Sequence, residues 1–99
     1  MYRGTTPKIT FLVDIDTTEL EEVYITFKNK HGEIEKTNQD VVLAEGEISV
    51  SLSQADTLLF PNFDAPLRMQ IRAKTKDGAA LASNIMETTM SHILKDGEI

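Results

Sequence analysis

Leu67, Met69, Ile71 and Ala73 alternate without a break with Arg68, Gln70, Arg72 and Lys74. A period of two fits an extended chain, because successive side chains of a strand point to opposite faces. The segment therefore reads as a half-buried strand with a cationic outer stripe. The same alternation recurs at Ile9, Phe11, Val13 and Ile15, at Val23, Ile25 and Phe27, and at Ile48, Val50 and Leu52. An α/β protein would need helices of ten or more residues between such strands, and none is visible.

Turn signals separate the strands. Asn29-Lys30-His31-Gly32 should close a hairpin, since Asn and Gly tolerate positive φ, and a third strand through Ile34 to Thr37 follows. The apolar run Val41-Val42-Leu43 ends at the turn pair Glu45-Gly46, and Asp77-Gly78 marks a second hairpin. Asp16 to Leu20 reads as a connection with room for one helical turn. Ser53-Gln54-Ala55-Asp56 has the spacing of a capping box, so a short helical turn is expected near 53–60, stopped by Pro61. From Ala79 to about His92 the chain reads as one or two extended segments interrupted at Ser83-Asn84. Seven or eight short antiparallel strands at this spacing predict an all-β fold, an immunoglobulin-like β-sandwich. Residues 1–94 form its single domain, and residues 95–99 a C-terminal tail free to move or to pair with something else.

Composition narrows the function classes. With 99 residues the chain buries roughly 60–65% of its unfolded surface, enough for one core. No cysteine is present, so disulfides, thiolate metal sites and cysteine nucleophiles are ruled out. Sixteen acidic against ten basic side chains give a net charge of -6, which opposes bulk attraction to nucleic acid or an anionic membrane. The start, Met1 to Pro7, lacks an apolar h-region, and no run approaches a membrane span. The pattern reads as a whole gene product made without a standard secretory signal.

Residue chemistry suggests no active site. His31 and His92 are the only histidines and have no companion motif, so surface positions are expected. Asp14-Ile15-Asp16 opens like a calcium loop, but Glu19 and Ile25 stand where the loop needs Gly and Glu. Asp14, Asp16, Glu19, Glu21 and Glu22 read instead as a solvated acidic edge that discourages sheet pairing. No serine sits in a nucleophile-elbow context, and five glycines supply no phosphate loop. No catalytic, cofactor-binding or metal-ligating residue is therefore assigned. The basic stripe of Arg68, Arg72, Lys74 and Lys76 raises nucleic-acid binding, but Gln70 stands between the cations where a stacking aromatic would be needed. A solvated stripe paired to cross-strand acids, or a docking edge, fits better.

Three further stretches carry a resemblance: Met1-Tyr2-Arg3-Gly4-Thr5-Thr6-Pro7 leading into Ile9-Thr10-Phe11, Leu52-Ser53-Gln54-Ala55-Asp56-Thr57-Leu58, and Ala80-Leu81-Ala82-Ser83-Asn84-Ile85 followed by Ile93-Leu94-Lys95-Asp96-Gly97. Together they resemble small proteins encoded in the tail and baseplate regions of phages and prophages of Gram-positive hosts. The plan is similar to the N-terminal β-sandwich domain of upper-baseplate proteins, although this chain stops at Ile99. The resemblance implies a non-enzymatic structural component of a virion, made in the bacterial host cytoplasm. It would work through contacts with other virion proteins or copies of itself, without cofactor, nucleic acid or membrane. Gly4 to Pro7 and the C-terminal tail would be its arms. On this expectation Arg68, Arg72 and Lys74 meet acids such as Glu19, Glu21 and Glu22 of a neighbouring copy. From a different class, the alternative is a small ligand- or carbohydrate-binding module, with exposed aromatics around a shallow groove.

Overall fold

The computed structural model describes all 99 residues. Its strands are β1 (Lys8–Leu12), β2 (Leu20–Asn29), β3 (Gly32–Lys36), β4 (Val41–Ala44), β5 (Glu47–Ser51), β6 (Ala65–Thr75), β7 (Ala80–Ala82) and β8 (Met86–Met90). One short helix, α1 (Gln54–Leu58), and two 3-10 turns, Thr17–Glu19 and Asn38–Asp40, complete the elements. The first 3-10 turn falls in the connection where a helical turn was expected.

Two antiparallel sheets result: β1-β5-β4, and β3-β2-β6 with β7 and β8 both on the far side of β6. This is the strand arrangement of an immunoglobulin-like sandwich, with β1, β5 and β4 in the places of strands B, E and D. Strands β3, β2 and β6 take those of C′, C and F, and β7 with β8 form a divided G. The division falls at Ser83-Asn84. There the Ser83 hydroxyl accepts the Ile71 N–H at 3.0 Å while the Ser83 N–H donates to the Ile71 carbonyl at 2.8 Å. The ladder is thus satisfied across the gap.

Alternation decides which side chains enter the core. Val23, Ile25 and Phe27 of β2 face Ile48, Val50 and Leu52 from the other sheet's side, joined by Leu67, Ile71, Phe60 and Met90. Ile15 was expected in this layer, but β1 stops at Leu12 and Ile15 is exposed on the following loop. Strand β2 carries a bulge between Leu20 and Glu22. On the β3 side of the same stretch, Asn38 Oδ1 accepts the Val23 N–H and its Nδ2 donates to the Glu21 carbonyl, both at 2.6 Å.

The β2–β3 turn closes differently from expectation. No non-glycine residue has a positive φ, and Gly32 is not among the glycines that do. Asn29 works through its side chain instead, accepting the N–H groups of His31 and Gly32 at 2.8 and 3.2 Å. Gly32 packs beside Phe60, where a Cβ would sit 3.4 Å from the ring, at the near limit of ordinary contact. Gly46, by contrast, ends β4 at φ +70, which a residue with a Cβ resists.

Helix α1 plugs the end of the sandwich. Ser53 and Asp56 form the expected capping box: Ser53 Oγ accepts the Asp56 N–H at 3.0 Å, and Asp56 Oδ2 accepts the Ser53 N–H at 2.8 Å. Lys36, on the inward phase of β3, reaches the same Asp56 at 2.9 Å and so ties the larger sheet to α1. Thr57 is fully buried and donates to the Thr5 carbonyl at 3.0 Å.

Both termini lie against the body. Tyr2 pairs in parallel with Ser91, and Met1 and Arg3 hydrogen bond along β8's end. Arg3 Nε also donates to the Phe60 carbonyl at 2.6 Å, and its guanidinium pairs with Asp96. At the other terminus the Gln54 amide clasps the Ile99 backbone through two bonds, of 3.0 and 2.9 Å. The segments expected as arms reaching to neighbours are thus occupied within one chain.

Two strand edges in the smaller sheet stay open. Val13 N–H bonds Gly46 O and Leu52 N–H bonds Pro7 O, both at 2.9 Å, which fixes the hydrogen-bonding phase of β1. Pro7, Ile9, Phe11 and Val13 therefore turn their backbone groups to β5, and Lys8, Thr10 and Leu12 turn theirs to solvent. By the same alternation Val41 and Leu43 point their backbone groups away from β5 along the β4 edge. Strand β4 is an apolar run in sequence, yet Val42 is 67% exposed.

Candidate functional site

The outer face of the larger sheet gathers charge in a defined pattern. On β6 the outward residues are Arg68, Gln70, Arg72 and Lys74, as the alternation requires. Register sets their neighbours. Lys74 lies opposite Glu22 of β2, Arg72 opposite Tyr24, Gln70 opposite Thr26 and Arg68 opposite Lys28. On the other flank Arg68 faces Glu87 of β8, and Arg72 faces Ala82 of β7.

These placements decide between the expected roles. Glu22 is the cross-strand neighbour of Lys74, so that acid and that cation share one face of one copy. Its carboxylate accepts the Tyr24 hydroxyl at 3.0 Å, and that bond raises the tyrosine's pKa above the ordinary value, the negative charge of Glu22 adding to it. Glu19 immediately precedes β2, and Glu21 and Glu22 are its second and third residues. The Glu19 carbonyl accepts the Lys76 N–H at 2.9 Å, and the Glu21 carbonyl is held by Asn38.

Arg68 and Arg72 keep their charge unpaired. The ion pairs of the chain are Arg3–Asp96, Lys28–Glu33, Lys36–Asp56 and His92–Asp64, and none includes Arg68, Arg72 or Lys74. Lys28 and Arg68 stand directly across from each other, although like charges in that position destabilise a sheet. Lys28 reaches Glu33 only at 4.0 Å, with both side chains more than half exposed, a contact worth little.

With Lys30 from the neighbouring turn, Lys28, Arg68 and Arg72 line an open groove of about 470 Å³, in which Glu33 is the one acid. Four of the chain's ten cationic side chains thus converge on a protein of net charge -6. Sequence reasoning missed Lys28 and Lys30. The outward phase of Tyr24, Thr26 and Lys28 was readable, but only the β2–β6 register brings Lys28 beside Arg68.

The opposite end of the sandwich is acidic. The loop from Val13 to Thr18, the start of β2 and the β4–β5 turn surround a broad open cleft of about 940 Å³. Ile15, Leu20 and Leu43 give it apolar lining, and Asp14, Asp16 and Glu45 supply carboxylates. Asp16 is held ionised below the usual carboxylate range, chiefly by the Thr18 hydroxyl and then by the Thr18 N–H, at 2.6 and 3.0 Å.

The histidines work separately. His92 Nδ1 lies 2.7 Å from Asp64 Oδ1, a bond that holds the aspartate below its ordinary pKa, and His31 stacks edge-on against Phe63 at 5.0 Å. The exposed aromatic rings belong to separate elements: Tyr2 on the N-terminal arm, Tyr24 on β2 and Phe63 on the loop before β6. Comparison with protein-family models, curated proteins and solved structures finds no match to this chain.

Proposed function

We propose that the protein is a non-enzymatic structural component of a phage or prophage virion, placed in the tail or baseplate and acting through protein–protein contacts. The observation that carries this reading is the groove lined by Lys28, Lys30, Arg68 and Arg72 with Glu33 as its one acid, on a protein of net charge -6. Such charge carries a cost to the isolated sheet. Contact with a partner's acids offsets it. A sandwich whose own termini are tied down presents a rigid surface for repeated contacts, as an assembly part requires.

The resemblance of the N-terminal, α1 and β7 stretches to baseplate-region proteins gives the reading its place. The test is direct. After induction of a lysogen carrying this gene, purified particles are digested and their peptides identified, and an antibody to the protein is used for labelling. Peptides at stoichiometric level, with label at one end of the particle, are expected. Intact particles without the protein would sink the proposal.

A further inference from the structure

The two ends of β2 carry different pockets, although Lys74 stands across from Glu22 at the Leu20 end and Glu33 lies at the Asn29 end. The strand is ten residues long, about 33 Å at roughly 3.3 Å per residue. At its Leu20 end lies the cleft with Asp14, Asp16 and Glu45. At its Asn29 end the two-residue turn Lys30-His31 projects between Asn29 and Gly32, with Lys28 and Arg68 beside it on the sheet face. The cationic end is a narrow hairpin and the acidic end is a broad concavity. The two differ in sign.

We infer that a second copy of this chain docks head to tail, the Lys28–Lys30 hairpin of one copy entering the acidic cleft of the next. The inference deepens the assembly reading above and rests on it for its biological setting, but the contact itself stands on charge complementarity. Cations at one end and carboxylates around an apolar lining at the other supply steering and register. Ile15 and Leu43, each about two-fifths exposed, supply apolar surface to cover. The two patches are different surfaces of the molecule, so the interface is heterologous and propagates into rings or filaments instead of stopping at a two-fold dimer.

Sedimentation velocity on the full chain, in 20 mM and 500 mM salt over a range of concentrations, tests the contact. Wild type is expected to gain mass with concentration at low salt and to lose that gain at high salt, where screening shortens to a few ångströms. Lys28→Glu/Lys30→Glu is expected to weaken association at least tenfold, and Asp16→Lys/Glu45→Lys likewise. Mixing the two variants offers one reversed pair and one native pair of ends. Both pairs are complementary in sign, so the mixture should regain growth with the two variants alternating, while neither grows alone. Combining all four changes in one chain should restore growth, which no folding defect would do.

A wild type that stays monomeric at low salt overturns the inference. So does association that ignores both reversals, or a four-fold variant that fails to regain it. Retention on a heparin column that is lost in Arg68→Glu/Arg72→Glu, with no self-association, would assign the groove to polyanions instead. A monomeric protein still found in particles defeats the head-to-tail contact alone. A self-associating protein absent from particles defeats the virion reading alone.

Discussion

Asp56 shows how much one short side chain can organise. Burial by itself would raise its pKa, but the Ser53 N–H and the Lys36 ammonium outweigh this and hold the carboxyl below the ordinary range. A carboxylate with a depressed folded-state pKa stabilises the fold above its unfolded value, about 3.9, and that contribution is lost as pH falls through the folded value. Asp16, Asp64, Asp77 and Asp96 are lowered in the same direction at exposed positions, each held by hydrogen bonds. Stability should therefore be steady near neutrality and fall below about pH 4. Asp56→Asn removes both the capping carboxylate and the partner of Lys36, at a cost of about 1–2 kcal/mol. The measurement is thermal melting from pH 7 to pH 2.5. The variant should melt lower at neutral pH, and its deficit should shrink as acid removes the wild type's advantage.

The elements differ in how openly the sequence announces them. Strands β2, β5 and β6 follow from unbroken alternation, and the Ser53–Asp56 box marks α1 to the residue, because both signals are local. Strand β4 misleads. Val41-Val42-Leu43 has the composition of a core strand, but an edge position beside β5 leaves it mostly exposed, and edges are decided by the whole sheet. The cationic groove was half legible for the same reason: Arg68 and Arg72 are set by β6 alone, whereas Lys28 joins them through a pairing forty residues away in sequence. The docked termini carried no signal at all, since their partners, Ser91, Phe60 and Gln54, are ordinary residues. Yet they hold an element. Removing Met1 to Arg3 deletes the bonds to Thr89, Ser91 and Phe60 and should cost about 2–4 kcal/mol, at about 1 kcal/mol per hydrogen bond. Hydrogen exchange would locate the loss: the Ser91 amide should lose protection while Ile25 and Ile71, in the middle of the larger sheet, keep theirs.

At the scale of the molecule the two sheets have divided the labour. The larger sheet carries the charge, and its far edge is guarded by the N-terminal arm along β8. The smaller sheet is left with a short, apolar, unprotected margin at β4, bounded only by Asp40 and Glu45. Two such margins meeting antiparallel about Val42 would match backbone donors to acceptors, while their flanking carboxylates crowd like charges together. Those two acids act as gatekeepers against fibril growth. Asp40→Asn/Glu45→Gln should therefore seed thioflavin-binding aggregates in concentrated solution, and a further Val42→Lys should abolish them. A chain that must be stored at high local concentration before it is used would depend on that pair of carboxylates for its shelf life.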